Sequence, residues 1–250
     1  MFLVNCAMNN AEWYVDWFDS PYYHLLYNNR NFDEANFFID RLCGHLELKQ
    51  HARLWDIACG KGRHAIALNK KGFDVVGTDL SRNSIKEALL NSNKHLDFFI
   101  HDMRDPFRVN YFDAAFNVFT SMGYFKNFKD NFLVFKSVAN ALKPDGVFVV
   151  DFFNSESVAN SLQDDYIEER GAVRFHIQKT VLANAIQKRI EFTCDGKDYY
   201  FEESVSLFKK KDFESFAQEA GLTLVRSFGN YQLEDFDEKK SERLILIFKK

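Results

Sequence analysis

Between residues 53 and 152, short apolar runs of strand type alternate with segments of helical periodicity. Arg53 to Ala58 reads as a strand, Ala65 to Lys71 as a helix stopped by Gly72, and Phe73 to Gly77 as a strand ending at Asp79. Ser81 suits the N-cap of a helix running to about Lys94, and Leu96 to Ile100 forms a third strand ending at His101-Asp102. Phe112 to Phe119 is a fourth strand. Phe128, Phe132, Phe135, Ala139 and Leu142 mark one helix face, Lys143-Pro144-Asp145-Gly146 a turn, and Val147 to Phe152 a fifth strand, apolar enough to be buried on both faces. This rhythm predicts right-handed βαβ units and a mostly parallel, doubly wound α/β sheet.

The rhythm breaks after residue 154. Val173 to Leu182, Ala185 to Cys194 and Tyr199 to Phe208 read as three strands without intervening helices, and Asp195-Gly196 is a hairpin signal. Lys211 to Ala220 is helical, and Leu222 to Phe228 and Leu244 to Phe248 are two closing strands. The expected organisation is a core of residues 1–154 and 210–250 and a small antiparallel insertion at 155–209. Aromatic residues 10–30 form one or two short helices ahead of the core, and residues 32–48 an amphipathic helix. The insertion's aromatics, Phe175, Phe192, Tyr199, Tyr200 and Phe201, are expected to form its own small core.

A chain of 250 residues can bury a large core without staples. Lys and Arg total 32 against 36 Asp and Glu, a net charge of −4, which gives no support for a phosphate-backbone partner. Cys6, Cys43, Cys59 and Cys194 show neither zinc spacing nor a disulfide framework and suit a reducing cytoplasm. Met1 to Cys6 is apolar, but Asp16, Asp19 and Arg30 follow too soon for a signal sequence, and no run is long enough for a membrane span. The 28 Phe either fill core positions or line an aromatic pocket; composition does not separate the two.

The chemistry concentrates at strand ends. In Asp56-Ile57-Ala58-Cys59-Gly60-Lys61-Gly62 a strand runs into a glycine turn that opens a helix, a setting for close backbone approach to a ligand or simply a tight turn. Asp79 at the end of the second strand can hold ribose hydroxyls or cap a helix. Asp102, followed by Met103, can accept from a base amine while the thioether lies on the ring, or it is a loop acid. Parallel strands bring all three ends to one sheet edge, so a nucleoside-containing ligand is the leading expectation. Gly60-x-Gly62-x-x-Ala65 also fits a dinucleotide fingerprint, which keeps an NAD(P)-dependent oxidoreductase as the alternative. Asp56 argues against it, because a carboxylate there would repel a pyrophosphate but tolerate a sulfonium.

The succession D-x-A-C-G-x-G, D-L-S and D-M resembles the class I S-adenosylmethionine-dependent methyltransferases, clearly over about 53–152 and more weakly over the closing strands. The resemblance implies a seven-stranded sheet with an antiparallel last strand, S-adenosylmethionine as cofactor and a small-molecule acceptor. It implies cofactor contacts at Asp56, Ala58, Gly60, Gly62, Asp79, Leu80, Asp102 and Met103. In the small-molecule branch with an insertion after the fifth strand, a leading tyrosine closes over the methionine end; here that is Tyr23, with Tyr27 second, unless these rings are core aromatics. The insertion is then expected to act as a substrate lid. Asn117-Val118-Phe119-Thr120 lacks the proline pair of nucleic-acid amino-methyltransferases, so no nucleic-acid substrate is expected. No general base stands out. His64, expected to expose one edge at a helix start, and Tyr124 are the candidates. Asp151 and Asn154 are the residues to consider for a metal, and none is expected; Arg243 pairs either with an acidic substrate or with a carboxylate at the core edge. A non-catalytic, methyltransferase-like cofactor binder is the third reading.

Overall fold

The alternating segments build one twisted sheet. In the computed structural model, which describes residues 12–28, 32–161 and 163–250, three helices come first: α1 (Trp13–Asp19), α2 (Pro21–Leu26) and α3 (Phe32–Leu46). The stretch Met1 to Cys6 and Arg30 lie outside the described residues. The core then runs β1 (Arg53–Ile57), α4 (Arg63–Lys70), β2 (Asp74–Asp79), α5 (Arg82–Ala88), β3 (Leu96–Ile100), β4 (Phe112–Asn117), α6 (Phe128–Ala141) and β5 (Leu142–Phe153). After α7 (Ser155–Ser161) come β6 (Asp165–Arg170), β7 (Val173–Val181), β8 (Ala185–Cys194) and β9 (Lys197–Ser206), and α8 (Lys210–Ala220), β10 (Thr223–Phe228) and β11 (Arg243–Lys249) complete the chain.

The large sheet has seven strands in the order β10-β11-β5-β4-β1-β2-β3. Strands β1 to β5 pair in parallel, and β11 runs antiparallel to both β5 and β10. The order reverses beside β1, between β2 and β4, and at such a switch point the loops diverge and leave a crevice. Alternation along β5 sends Phe148, Val150 and Phe152 to one face and Val149 to the other. The first face carries much of the phenylalanine excess. Phe135 of α6 packs edge-on to Phe148, its centroid 5.2 Å away, and also meets Phe213, Phe216 and Phe248.

Local departures have local causes. Helix α5 stops at Ala88 instead of about Lys94, passing into a single 3-10 turn, Leu89–Asn91. Asn93 then accepts from the His95 N–H through its own side chain, a competing bond that favours a turn. The expected turn at Lys143–Gly146 is carried inside β5 as a bulge, with the register moving from Phe112↔Leu142 to Ala114↔Val147.

The second sheet is antiparallel, in the order β6-β7-β8-β9, with four strands where three are expected. The additional strand, Asp-Tyr-Ile-Glu-Glu-Arg, is an edge strand whose charges hide its pattern. Its apolar face is not a self-contained core. Trp17 of α1 lies 4.4 Å, centroid to centroid, from Phe201, and Tyr22 of α2 packs on Phe192 and Tyr199. The leading helices therefore fill the space between the two sheets.

Candidate cofactor and acceptor cavity

A cavity of about 370 Å³ opens at the carboxyl ends of the parallel strands, beside the switch point. Ala58, Gly60, Asp79, Leu80, Asp102 and Met103 form its floor, and Phe18, Tyr23, Tyr27, Phe119, Tyr124 and Phe125 supply aromatic walls. His64 is also on the wall, but it is buried, not edge-exposed as expected.

The glycine turn is a worked piece of backbone. The N–H of Gly60 donates to Asp79 Oδ2 at 2.7 Å, and Ser81 N–H donates to Asp79 Oδ1 at 2.8 Å. One carboxylate thus joins the ends of β1 and β2. A carboxylate has about four acceptor positions, so these two bonds leave capacity toward the cavity. Burial pushes the Asp79 carboxyl above the ordinary carboxylate range, against the pull of its backbone donors.

The two glycines have separate jobs. Gly60 has φ +55, and a Cβ built on it meets no atom within 4 Å, so its missing side chain is open cavity. Gly62 has φ +82, and a Cβ there falls 2.6 Å from the Phe98 ring. Gly62 does not line the cavity; it lets α4 pack close to β3. Ala58 also adopts a left-handed conformation, φ +56, which sequence reading does not anticipate.

Asp56, too, lies off the cavity wall. Its buried carboxylate accepts from the Ala65 N–H at 2.9 Å and so ties β1 to the first turn of α4. Burial raises its pKa to about 7, with the Asp79 charge adding and the Ala65 N–H and Arg63 opposing. The contact expected from the sequence therefore becomes support for the turn from behind.

Asp102 is clasped by Arg104, whose Nε donates to Oδ1 at 3.0 Å and whose second guanidinium nitrogen donates to Oδ2 at 2.6 Å. Burial pushes the Asp102 carboxyl up, but the Arg104 bonds and charge outweigh it and hold it below the usual range. Arg104 also pairs with Glu12, just ahead of α1, at 3.1 Å. Asp19, at the end of α1, accepts from Ser81 Oγ at 2.7 Å and from Asn83 N–H at 2.8 Å. Across the cavity, Glu203 of β9 accepts from Trp17 Nε1 at 2.6 Å and from the Tyr27 hydroxyl at 2.9 Å, while Lys188 of β8 donates to the Tyr27 oxygen. Helices α1 and α2 form a cap that is thus pinned beside Asp102, beside Asp79 and to the second sheet. Sequence reading misses Arg104, Asp19 and Glu203. Only Arg104 left a signal, a cation two residues beyond a candidate acid.

Tyr23 and Tyr27 both face the cavity, their rings 4.9 Å apart, and Tyr124 joins the wall through Phe18 and Trp13. The Tyr124 hydroxyl donates to the Thr120 carbonyl. The two residues considered for a metal are otherwise engaged: Asn154 donates to the carbonyls of Glu238 and Ser241, and Asp151 pairs with Arg243 at 2.7 Å. Arg243 takes the structural of its two expected partners. Asn117 is buried, donates to the Ile57 carbonyl at 3.4 Å and does not reach the cavity wall.

Comparisons with known proteins point to one family. A putative methyltransferase of Bacillus subtilis, YqeM, is 28% identical over 210 residues, covering 79% of this chain and 83% of its own. A dTDP-3-amino-3,4,6-trideoxy-alpha-D-glucopyranose N,N-dimethyltransferase of Streptomyces venezuelae is 30% identical over 180 residues, 68% of this chain and 74% of that one. The crystal structure of an S-adenosylmethionine-dependent methyltransferase from Clostridium acetobutylicum has the same fold, with a TM-score of 0.76 at 22% identity over 91% of this chain and 95% of that one. A family model described as a methyltransferase domain matches residues 27–227, most of the chain, and the chain belongs to that family.

Proposed function

We propose that this methyltransferase takes its methyl group from S-adenosylmethionine and passes it to a small-molecule acceptor in the cavity beneath the cap. One observation carries the reading. Gly60 and Asp79 are joined by a 2.7 Å hydrogen bond at the switch point, and Asp102 and Met103 stand on the same cavity. The residues fit the cofactor. Asp79 would take ribose hydroxyls with its remaining acceptor capacity, Asp102 an adenine amine, and Met103 and Leu80 the faces of the base. The side-chain-free path at Gly60 would admit the methionine portion.

When bound, S-adenosylmethionine supplies an electrophilic methyl group on a sulfonium. The chain's own work is to bind, align and dry the site. Aromatic rings at Phe18, Tyr23 and Tyr124 favour a cation through their faces, and with Tyr27, whose ring already carries the Lys188 ammonium at 4.6 Å, they exclude water. In-line displacement then depends largely on positioning. A proton-accepting side chain is needed only for an acceptor that arrives protonated. His64 and Tyr124 are the wall residues to examine for that role, the Tyr124 hydroxyl hydrogen being committed to Thr120.

The second sheet and α1–α2 together act as a substrate lid, a reading supported by the Glu203 and Lys188 bonds to Trp17 and Tyr27. A net charge of −4 supports a small molecule over a nucleic acid as acceptor. Free thiols at Cys43, Cys59 and Cys194 support a reducing cytoplasm, and among the described residues no helix is long and apolar enough to cross a membrane.

The test is ligand-dependent stability. S-adenosylhomocysteine at a hundred times its dissociation constant should stabilise the fold by about 2.7 kcal/mol. Stabilisation by NAD or NADP and none by S-adenosylhomocysteine or S-adenosylmethionine would sink the assignment.

A further inference from the structure

Two neighbouring non-glycine residues after β4, Phe119 at φ +64 and Thr120 at φ +59, both hold left-handed conformations. Such strain persists only where surrounding contacts over-determine it. Those contacts converge on Asp151 of β5, whose side chain is fully buried. Phe119 N–H donates to Asp151 Oδ2 at 2.7 Å, and Thr120 N–H donates to the Asp151 carbonyl at 2.9 Å. The same carboxylate accepts from Arg243 Nε at 2.8 Å and from the Tyr231 hydroxyl at 3.1 Å. Arg243 also reaches Thr120 Oγ1 at 3.1 Å.

The turn held in this way delivers Phe119, Ser121 and Tyr124 to the cavity wall. Sheet order fixes which part of the ligand they meet. Asp102 stands at the end of β3, Asp79 at β2 and Gly60 just after β1, so β4 is next in line beyond the ribose. Given the function proposed above, on which this step rests, the β4 turn faces the sulfonium and the acceptor.

We infer that Asp151 is a positioning residue: with Arg243 and Tyr231 it holds the Phe119–Thr120 turn so that the Tyr124 ring, whose hydroxyl is bonded to the Thr120 carbonyl, favours the charged methyl donor over the neutral product, the Phe119 ring already carrying the Arg63 guanidinium at 4.8 Å. Asp151 touches neither ligand. Its effect is on discrimination between the two.

The experiment compares dissociation constants of S-adenosylmethionine and S-adenosylhomocysteine by calorimetry, with hydrogen exchange over residues 118–124. In Asp151→Asn the affinity for S-adenosylhomocysteine stays near that of the unaltered protein, because Asp79 and Asp102 are untouched. Affinity for S-adenosylmethionine falls by about fivefold more, the size of a modest cation–π contact, and exchange in the turn accelerates. Adding Thr120→Gly, for which a positive φ carries no penalty, recovers both the affinity ratio and part of the protection. If Asp151→Asn does not fold, Tyr231→Phe, which removes one bond to the carboxylate, carries the same comparison with a smaller shift in the same direction. An unchanged ratio in the folded variant, or a lost ratio that Thr120→Gly does not recover, overturns the inference. Failure of the unaltered protein to bind either ligand overturns instead the function on which it rests.

Discussion

Replacing Asp56 by Asn should make the protein more stable at alkaline pH, by more than most surface substitutions change stability. The Asp56 carboxyl is fully buried and accepts from the Ala65 N–H, and the Arg63 charge opposes the effect of burial without overcoming it. Burial moves its pKa from 3.8 to about 7. The folded chain therefore keeps a proton that the unfolded chain has released between about pH 4 and about pH 7, and stability falls as pH rises through that window. A shift of roughly 3 units at 1.36 kcal/mol each corresponds to about 4 kcal/mol lost by pH 8. Asn retains a carbonyl oxygen for Ala65 N–H and never ionises. Urea unfolding of both proteins across the window should show the variant's advantage widening by between about 2 and 3 kcal/mol from pH 5 to pH 8. Parallel stability curves for the two proteins over that range would refute the reasoning.

Asp79→Ala should weaken S-adenosylhomocysteine binding on the order of 1.5–3 kcal/mol, the worth of hydrogen bonds to a charged group; calorimetry showing unchanged affinity would confine Asp79 to bracing the turn. Gly62→Ala should destabilise the fold by about 1–3 kcal/mol, since its Cβ meets Phe98 at 2.6 Å, whereas Gly60→Ala, strained at φ +55 but meeting no atom, should cost less stability and act more on ligand affinity. Thermal melts paired with ligand titrations would expose a reversal of that order. Glu203→Gln should loosen the cap by about 1–3 kcal/mol and speed hydrogen exchange in α1 and α2, and unaltered exchange there would show that the Trp17 and Tyr27 bonds do not hold it.

The sequence by itself determined the parallel core and the ligand edge. Apolar period and glycine punctuation are local properties, and the topology of βαβ units leaves few ways to arrange them. Thus Gly60, Asp79, Leu80, Asp102 and Met103 could be placed on one edge before any coordinate, and all five line one cavity. What only the tertiary structure decided is which way each side chain turns. Asp56 and Gly62 sit in the same motif as Gly60, yet one faces the start of α4 and the other Phe98. Residue spacing along a strand end does not encode that choice; the packing of the neighbouring helix does. The cap's pins were equally hidden: Trp17 meets Glu203 across a separation of 186 residues. Contacts of that kind arise from how two sheets close around α1 and α2, and an aromatic residue on a short helix carries the same local signal whether it faces its own core or a cavity. The strained turn at Phe119 and Thr120 is the extreme case, since neither residue type favours a left-handed backbone and the buried Asp151 carboxylate that bonds the turn, with its partner Arg243, is brought there by β5 and β11.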